Sequence, residues 1–463
     1  MNKNNKIHFE VSERKVLLRI FDLAFVWLAI YFIGSFFDFE YLIFSANNWH
    51  YLFSIGLYIN LIGTVFEMYN LQVASNQFQV TRSVILTVSV AVLVYLLTPI
   101  YSAELPPQRL QIIVFFFTIV FSLLFWRIIY VKFLASNRFV QNVVLVCEHE
   151  HLEELVTGLE NADPHYRIIG YVNSENYIKT AVNHYVQPIK IYDLVPFVNE
   201  NAIFEIVVAS QKREEITVEL YQQLLHLLES GHTIREYAQI YETKTQRIPV
   251  QFVTRDFYKF FPFSRSNNNQ LYLVTTKTME ILISILGLSF GLLLLPFLII
   301  GNLIGNKGKL FYTQERVGLN GINFNIYKFR TMIKNAESDG ATFSKPNDNR
   351  VTPFGKFLRK TRIDEIPQFI NILKGDMAVI GPRPERPIFV KEIAEMMPFY
   401  ETRHVIKPGL TGWAQVNYSY GDSFSDSLIK LQYDLYYIKH RSVFLDLNIT
   451  IKTISTVLFY RGH

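Results

Sequence analysis

Apolar residues fall along this chain in three kinds of pattern. In the first third, four apolar runs cover about residues 16–37, 51–69, 83–101 and 110–131, separated by short polar stretches. Each approaches the ~20 residues a helix needs to cross a bilayer core, so the pattern predicts four transmembrane helices. The first run is too long for a cleaved signal and is followed by further spans. Its Arg19 and Asp22 are three residues apart, which predicts a pair on one helix face. Between residue 142 and about 256 the pattern changes. Runs at 143–146, 168–172 and 204–209 read as short buried strands, while 152–159 and 218–228 carry helical spacing. That is a βαβ layout with a parallel sheet.

A fifth apolar run, residues 281–304, has no charge and is interrupted by Gly287, Gly291, Pro296 and Gly301. The residues alone leave two readings. It is either a fifth span, or a segment that kinks at Pro296 and returns to the face it entered. Lys277 before it and Lys307 and Lys309 after it suit the second.

Charge sets the orientation. Lys3, Lys6, Arg14 and Lys15 precede the first run, Arg82 lies in the second loop, and Lys132 and Arg138 follow the fourth run. The other loops, 38–50 and 102–108, hold no Lys or Arg, so the N-terminus and everything after residue 131 are expected in the cytoplasm. Of the 463 residues 50% are hydrophobic and 18% charged, against the ~25% charged of soluble domains, which excludes disorder. A net charge of +5 gives no argument for nucleic acid. A single cysteine, Cys147, excludes an intramolecular disulfide and a cysteine zinc site.

Two segments are candidates for chemistry. The first strand–helix turn of the middle part, Val146-Cys147-Glu148-His149-Glu150-His151, has no glycine to admit a pyrophosphate, and two glutamates oppose one. The pair His149 and His151 reads as a solvated turn rather than a metal site. From Lys328 to Arg386, by contrast, twelve Lys and Arg face seven Asp and Glu. Such a basic stretch fits an anionic lipid surface or a phosphate-rich substrate, and both if the substrate lies in the membrane. Within it, Asp364-Glu365 follows Arg359, Lys360 and Arg362 and precedes Pro367. A carboxylate kept ionised by cations attacks phosphorus or holds Mg²⁺; the plainer reading is an acidic helix N-terminus. Gly381-Pro382-Arg383-Pro384 is a rigid turn carrying an arginine, and Lys328-Phe329-Arg330 sets two cations along a strand. Phosphoryl transfer needs little beyond such positioning and charge.

Gln314-Glu315-Arg316-Val317-Gly318, then residues 328–332, 358–368 and 375–384, resemble the bacterial sugar transferases, the monotopic phosphoglycosyl transferases. Residues 407–416, Tyr433-Asp434-Leu435-Tyr436-Tyr437-Ile438 and Leu445-Asp446-Leu447 are similar to the family's later blocks, in the same order. The four spans and the α/β part before them resemble the large, exopolysaccharide-initiating subgroup. The resemblance implies an enzyme that moves a sugar 1-phosphate from a UDP-sugar onto undecaprenyl phosphate, with release of UMP. It implies Asp364 as nucleophile, and Glu365 as support for Mg²⁺ or for the acceptor's proton, with both carboxylates as metal ligands. Lys328, Arg359 and Arg383 match its phosphate-binding cations, Asp434 and Asp446 match acids that support the site, and Pro296 matches the break of a re-entrant helix.

The expected fold is therefore four transmembrane helices (1–138), a Rossmann-like α/β module (139–262), and an α/β monotopic catalytic domain (270–463) with a re-entrant broken helix at 281–304. Expected partners are the UDP-sugar, undecaprenyl phosphate, membrane lipid and a second copy, with no nucleic acid. The expected location is the bacterial cytoplasmic membrane, with the catalytic domain on the cytoplasmic face. Glucose, galactose and N-acetylated aminosugars stay open as the sugar. A silent scaffold and a glycosyltransferase releasing UDP are the alternatives. Two departures from the family pattern stand out. At the start of the fifth run the acid is Glu280 and an expected arginine is missing, and Arg362 stands where the family has Ser or Thr.

Overall fold

The computed structural model describes residues 11–37, 41, 48–69, 77–130, 132, 140–163, 166–173, 186–209, 216–250, 269–334, 336, 348–397, 399–418 and 424–458. Lys3, Lys6, Arg138 and the expected boundary at residue 262 lie outside them. The chain divides into two compact units, Met1–Thr245 and Gln246–His463.

The first unit opens with a bundle of four apolar helices: α1 (Val11–Phe37), α2 (Trp49–Val65), α3 (Gln77–Leu97) and α4 (Leu110–Ile129). Its interior is apolar, with Leu18, Ile30, Ile55, Val84, Val88, Phe115 and Leu123 fully buried. Its outside is apolar too, since Phe32, Phe36, Phe121 and Phe125 are largely exposed. A helix hydrophobic all round suits lipid rather than water. Three of these helices, and a fourth in the second unit, are long and apolar enough to cross a membrane, so the chain is a multi-pass membrane protein by length and composition. Helix α3 lies further toward the N-terminus than its apolar run suggests, and Arg82 falls inside it rather than in a loop. Asp22 does not pair with Arg19. Its carboxylate takes Arg127 of α4 at 2.6 Å, both side chains being almost fully buried, while Arg19 donates to Asn60 and Thr64 of α2. A buried carboxylate needs a desolvated, well-aimed cation, and the neighbouring helix supplies it.

The rest of the first unit is an all-parallel sheet of β1 (Gln141–Val146), β2 (Tyr166–Val172), β3 (Gln187–Ile189), β4 (Glu205–Val208) and β5 (Thr233–Glu236), in the order β3-β2-β1-β4-β5. Helices α5 (Leu152–Glu160), α6 (Leu194–Glu200), α7 (Val218–Glu229) and α8 (Tyr237–Thr245) alternate with the strands. Central strands buried on both faces read as the short apolar runs of the sequence. At the turn after β1, His149 meets the Tyr171 hydroxyl at 3.2 Å and His151 faces Glu148 at 3.8 Å, so the two histidines serve different partners.

The second unit begins with a 36-residue helix, α9 (Gln270–Gly305), which runs through Pro296. Next come an antiparallel hairpin of β6 (Phe311–Val317) and β7 (Asn323–Phe329), then α10 (Pro353–Lys360) and α11 (Gln368–Lys374). A β8 (Ala378–Ile380) and β9 (Gly409–Thr411) pair and helices α12 (Pro387–Met396), α13 (Trp413–Asn417), α14 (Phe424–His440) and α15 (Val443–Leu458) complete it. Helix α9 touches this unit along its whole length. At its start the Tyr272 hydroxyl donates to Asp446 of α15 at 2.6 Å. Before Pro296, Gly287 and Gly291 lie against Phe369 and Ile366, and after it Gly301 and Gly305 lie against Phe354 of α10. At its end Asn302 and Asn306 donate to the carbonyls of Gly308 and Arg330, both at 2.7 Å.

A side chain at Gly301 would collide with the Phe354 ring. Gly301→Leu is expected to destabilise the protein by about 1–3 kcal/mol, whereas Ile300→Leu on the exposed side costs little. Thermal unfolding in detergent compares the two.

Candidate active site

Three segments build the site. Helix α10 is fixed first. Thr352 caps it by accepting from Gly355 N at 2.9 Å, Pro353 pre-sets its first turn, and Gly355 packs directly on the Thr331 carbonyl. Arg359, in its last turn, donates through Nε to Thr331 Oγ1 at 3.0 Å. The chain then reverses at Arg362, whose φ of 57° is left-handed. For an L-residue other than glycine this costs about 1–2 kcal/mol. The reversal turns a single 3₁₀ turn, Ile363–Glu365, inward, so that Asp364 and Glu365 are buried at 6% and 8% exposure.

Helix α11 and β7 supply the second segment. Asn371 is fully buried and bonded three times: it donates to the Asn325 carbonyl at 2.8 Å and to Asp376 at 3.2 Å, and accepts from Tyr327 N at 3.1 Å. It locks the helix onto the strand that carries Lys328. The third segment is the turn around Arg383, in which four successive carbonyls each have a donor. Gly409 N takes Pro382 O at 2.8 Å, Arg403 takes Arg383 O at 3.0 Å, Arg316 takes Pro384 O at 3.0 Å, and Val317 N takes Glu385 O at 2.9 Å.

These segments converge on one carboxylate. Glu365 Oε1 lies 3.2 Å from Lys328 Nζ and 3.5 Å from Arg383 Nη2, and its Oε2 lies 3.5 Å from Arg362 Nη1. Burial works against the Glu365 charge, but Lys328, Arg383 and Arg362 outweigh it and hold the carboxyl well below its usual range. Asp364 goes the other way. Burial, then the Glu365 charge, push it up to about 6, partly offset by Lys328, Arg359 and Arg362. Its Oδ1 is buried and has no hydrogen-bond partner among the described residues. The pair thus divides into one permanently charged, fully engaged carboxylate and one poised near neutrality with an oxygen to spare.

Among the described residues no three His, Cys, Asp or Glu side chains cluster as a metal cage. Magnesium needs none, since one or two carboxylates and the phosphates of a substrate suffice. The orphaned Asp364 oxygen fits an ion arriving on a diphosphate. A resident, all-protein metal centre does not fit a carboxylate already shared by three cations.

Asp364, Glu365, Lys328, Arg359 and Arg383 are therefore brought together, as the sequence reading expects. Asp434 sits behind them, 2.7 Å from Arg403, which also donates to the Tyr400 hydroxyl at 2.6 Å. Asp446 accepts from Tyr272 and from Tyr437, the latter at 2.8 Å, and so fastens α15 to the start of α9. Arg330 lies over Gly308 rather than beside Lys328's partner. Near the start of α9, Lys277 from one turn earlier, Lys407 and Arg441 are the cations that act on Glu280. Sequence reasoning missed Arg403, because its carboxylate lies 31 residues further on. Arg316 was noted only as part of a motif.

The family model described as bacterial sugar transferase matches residues 271–460. A UDP-N-acetylgalactosamine-undecaprenyl-phosphate N-acetylgalactosaminephosphotransferase of Aeromonas hydrophila is 37% identical over 257 residues, 55% of this chain and 59% of that one. A Bacillus subtilis (strain 168) protein named for undecaprenyl-phosphate N-acetylgalactosaminyl 1-phosphate transfer is 40% identical over 153 residues, 33% of this chain and 86% of that one. A UDP-glucose:undecaprenyl-phosphate glucose-1-phosphate transferase of Xanthomonas campestris pv. campestris is 39% identical over 163 residues, 34% of each chain.

Asp434→Ala would leave Arg403 buried without its carboxylate and is expected to cost about 3–5 kcal/mol. Adding Arg403→Met should recover most of it. Paired thermal melts test this.

Proposed function

The chain belongs to the bacterial sugar transferase family, and from that premise we propose that it transfers a sugar 1-phosphate from a UDP-sugar to undecaprenyl phosphate. The observation that carries the reading is the unequal carboxylate pair inside a cage of cations. An Asp364 oxygen attacks the sugar-proximal phosphorus, the bond from that phosphorus to the oxygen of UMP breaks, and UMP leaves. The phosphosugar is then held on Asp364. A phosphate oxygen of the lipid attacks the same phosphorus, the aspartyl bond breaks, and an undecaprenyl diphosphate sugar results. Lys328, Arg359 and Arg383 neutralise the phosphoryl oxygens. When bound, Mg²⁺ would neutralise further charge on the diphosphate, and Asp364 would hold it, because Glu365 is already shared by three cations. Glu365, which keeps its charge, acts as an anchor for cations and not as a carrier of the acceptor's proton. The relatives' names support this reaction class, and their sugars are N-acetylgalactosamine and glucose.

We propose the same reading for topology. The first part, residues 1–138, holds the spans, 139–262 is a Rossmann-like module, and 270–463 is the catalytic domain on the cytoplasmic face. Straight, α9 would be ~54 Å long, more than a bilayer core. Yet residues on both sides of Pro296 pack on α10 and α11, which supports a segment that enters and leaves on one face.

Purified protein given Mg²⁺, undecaprenyl phosphate and a panel of UDP-sugars is expected to release UMP with one of them. Asp364→Asn should abolish release while keeping the melting temperature. The wild-type rate should fall as pH drops below about 6, where Asp364 takes up a proton. Release of UDP instead would mean an ordinary glycosyltransferase. Pro296→Leu should straighten α9 and expose the residues after it to labelling from the far side; unchanged labelling would count against the re-entrant path.

A further inference from the structure

Arg362 lies in the turn between α10 and the carboxylate pair, and its setting is unusual in three respects. Its backbone is left-handed, a conformation that glycine or asparagine would hold with less strain, and yet a long charged side chain occupies it. Its guanidinium lies on Oε2 of Glu365, while Lys328 and Arg383 lie on Oε1. Its side chain is 27% exposed and that of Arg383 is 30%, against 11% for the carboxylate between them. Two half-open guanidiniums thus flank a buried anion from opposite oxygens.

The charge count points the same way. Lys328, Arg359, Arg362 and Arg383 face two carboxylates, an excess of two positive charges when both acids are ionised. Arg362 supplies one of the positive charges that a diphosphate would meet there. We propose that Arg362 is a donor-binding residue which, with Arg383 opposite, grips the diphosphate of the nucleotide sugar from both sides of Glu365. The proposal rests on the donor site described above. Guanidinium groups favour phosphate oxygens through paired, planar donors, so an arginine is the residue type expected. The left-handed turn leads directly into the 3₁₀ turn that carries Glu365, on which its guanidinium rests.

The test separates backbone from charge. Arg362→Gly keeps the left-handed turn and removes the cation, whereas Arg362→Lys keeps the charge. Binding of UDP in the presence of Mg²⁺, followed by calorimetry on the full-length protein, is expected to weaken at least tenfold in R362G with no fall in melting temperature. R362K should recover part of the loss. In turnover, R362G should raise the KM for the donor. R362G with wild-type UDP affinity would overturn the proposal and leave Arg362 as a turn residue only. If R362G does not purify folded, Arg362→Asn, also tolerated in this conformation, replaces it. UDP bound by the wild type with no UMP released from any donor would end the proposed reaction and leave the role of Arg362 standing, so the two failures are distinct.

Discussion

The Glu365 carboxylate is the charge around which the second unit is organised. It is buried, so its charge survives only because cations from three separate segments reach it: Lys328 from a strand, Arg362 from a left-handed turn and Arg383 from a clamped loop. Each segment is rigid for its own reason. Asn371 ties α11 to β7, Thr352 and Gly355 seat α10, and four donors hold the carbonyls of the Arg383 turn. Remove the carboxylate, and three like charges are left facing one another. Its neighbour Asp364 inherits the opposite balance, because a fixed negative charge beside it and burial around it both favour the proton. One residue's permanent charge thus sets the other's reactivity.

The membrane and the site are joined by small residues. Gly287, Gly291, Gly301 and Gly305 face the aromatic and branched side chains of α10 and of the turn that leads into α11. A helix whose outward side is bare hydrocarbon can then lie directly against the elements that carry Arg359 and the carboxylate pair. The proposed acceptor would need this proximity, since a lipid-borne phosphate stays close to the membrane surface. Tyr272–Asp446 at one end and Asn302 and Asn306 at the other pin the same helix to the unit it serves.

Much of this was legible in the chain. The apolar runs marked every bundle helix to within a few residues, and 143–146, 168–172 and 204–209 fell on three strands of the parallel sheet. Burial on both strand faces, or against lipid, writes itself into consecutive residues. Strands β3 and β5 went unread, because three or four residues with a proline or two charges among them carry no period. At the site, the density of cations around Asp364-Glu365 marked the stretch in which Lys328, Arg362 and Arg383 meet Glu365. Of the cations that act on Glu280, only Lys277, one helical turn away, is readable from spacing, whereas Lys407 and Arg441 come from far along the chain.

What the sequence by itself determined, then, is which segments are buried, which meet lipid and where charge is concentrated, since these depend on neighbours along the chain. What only the tertiary structure decided is who pairs with whom. Asp22 stands three residues from Arg19 and takes Arg127 from another helix; Asp434 takes Arg403; Glu365 gathers cations that lie 37 positions before it, 3 before it and 18 after it. A buried charge is satisfied by whatever cation the fold delivers within about 4 Å, and that distance is a property of the packed chain, not of the order of its residues.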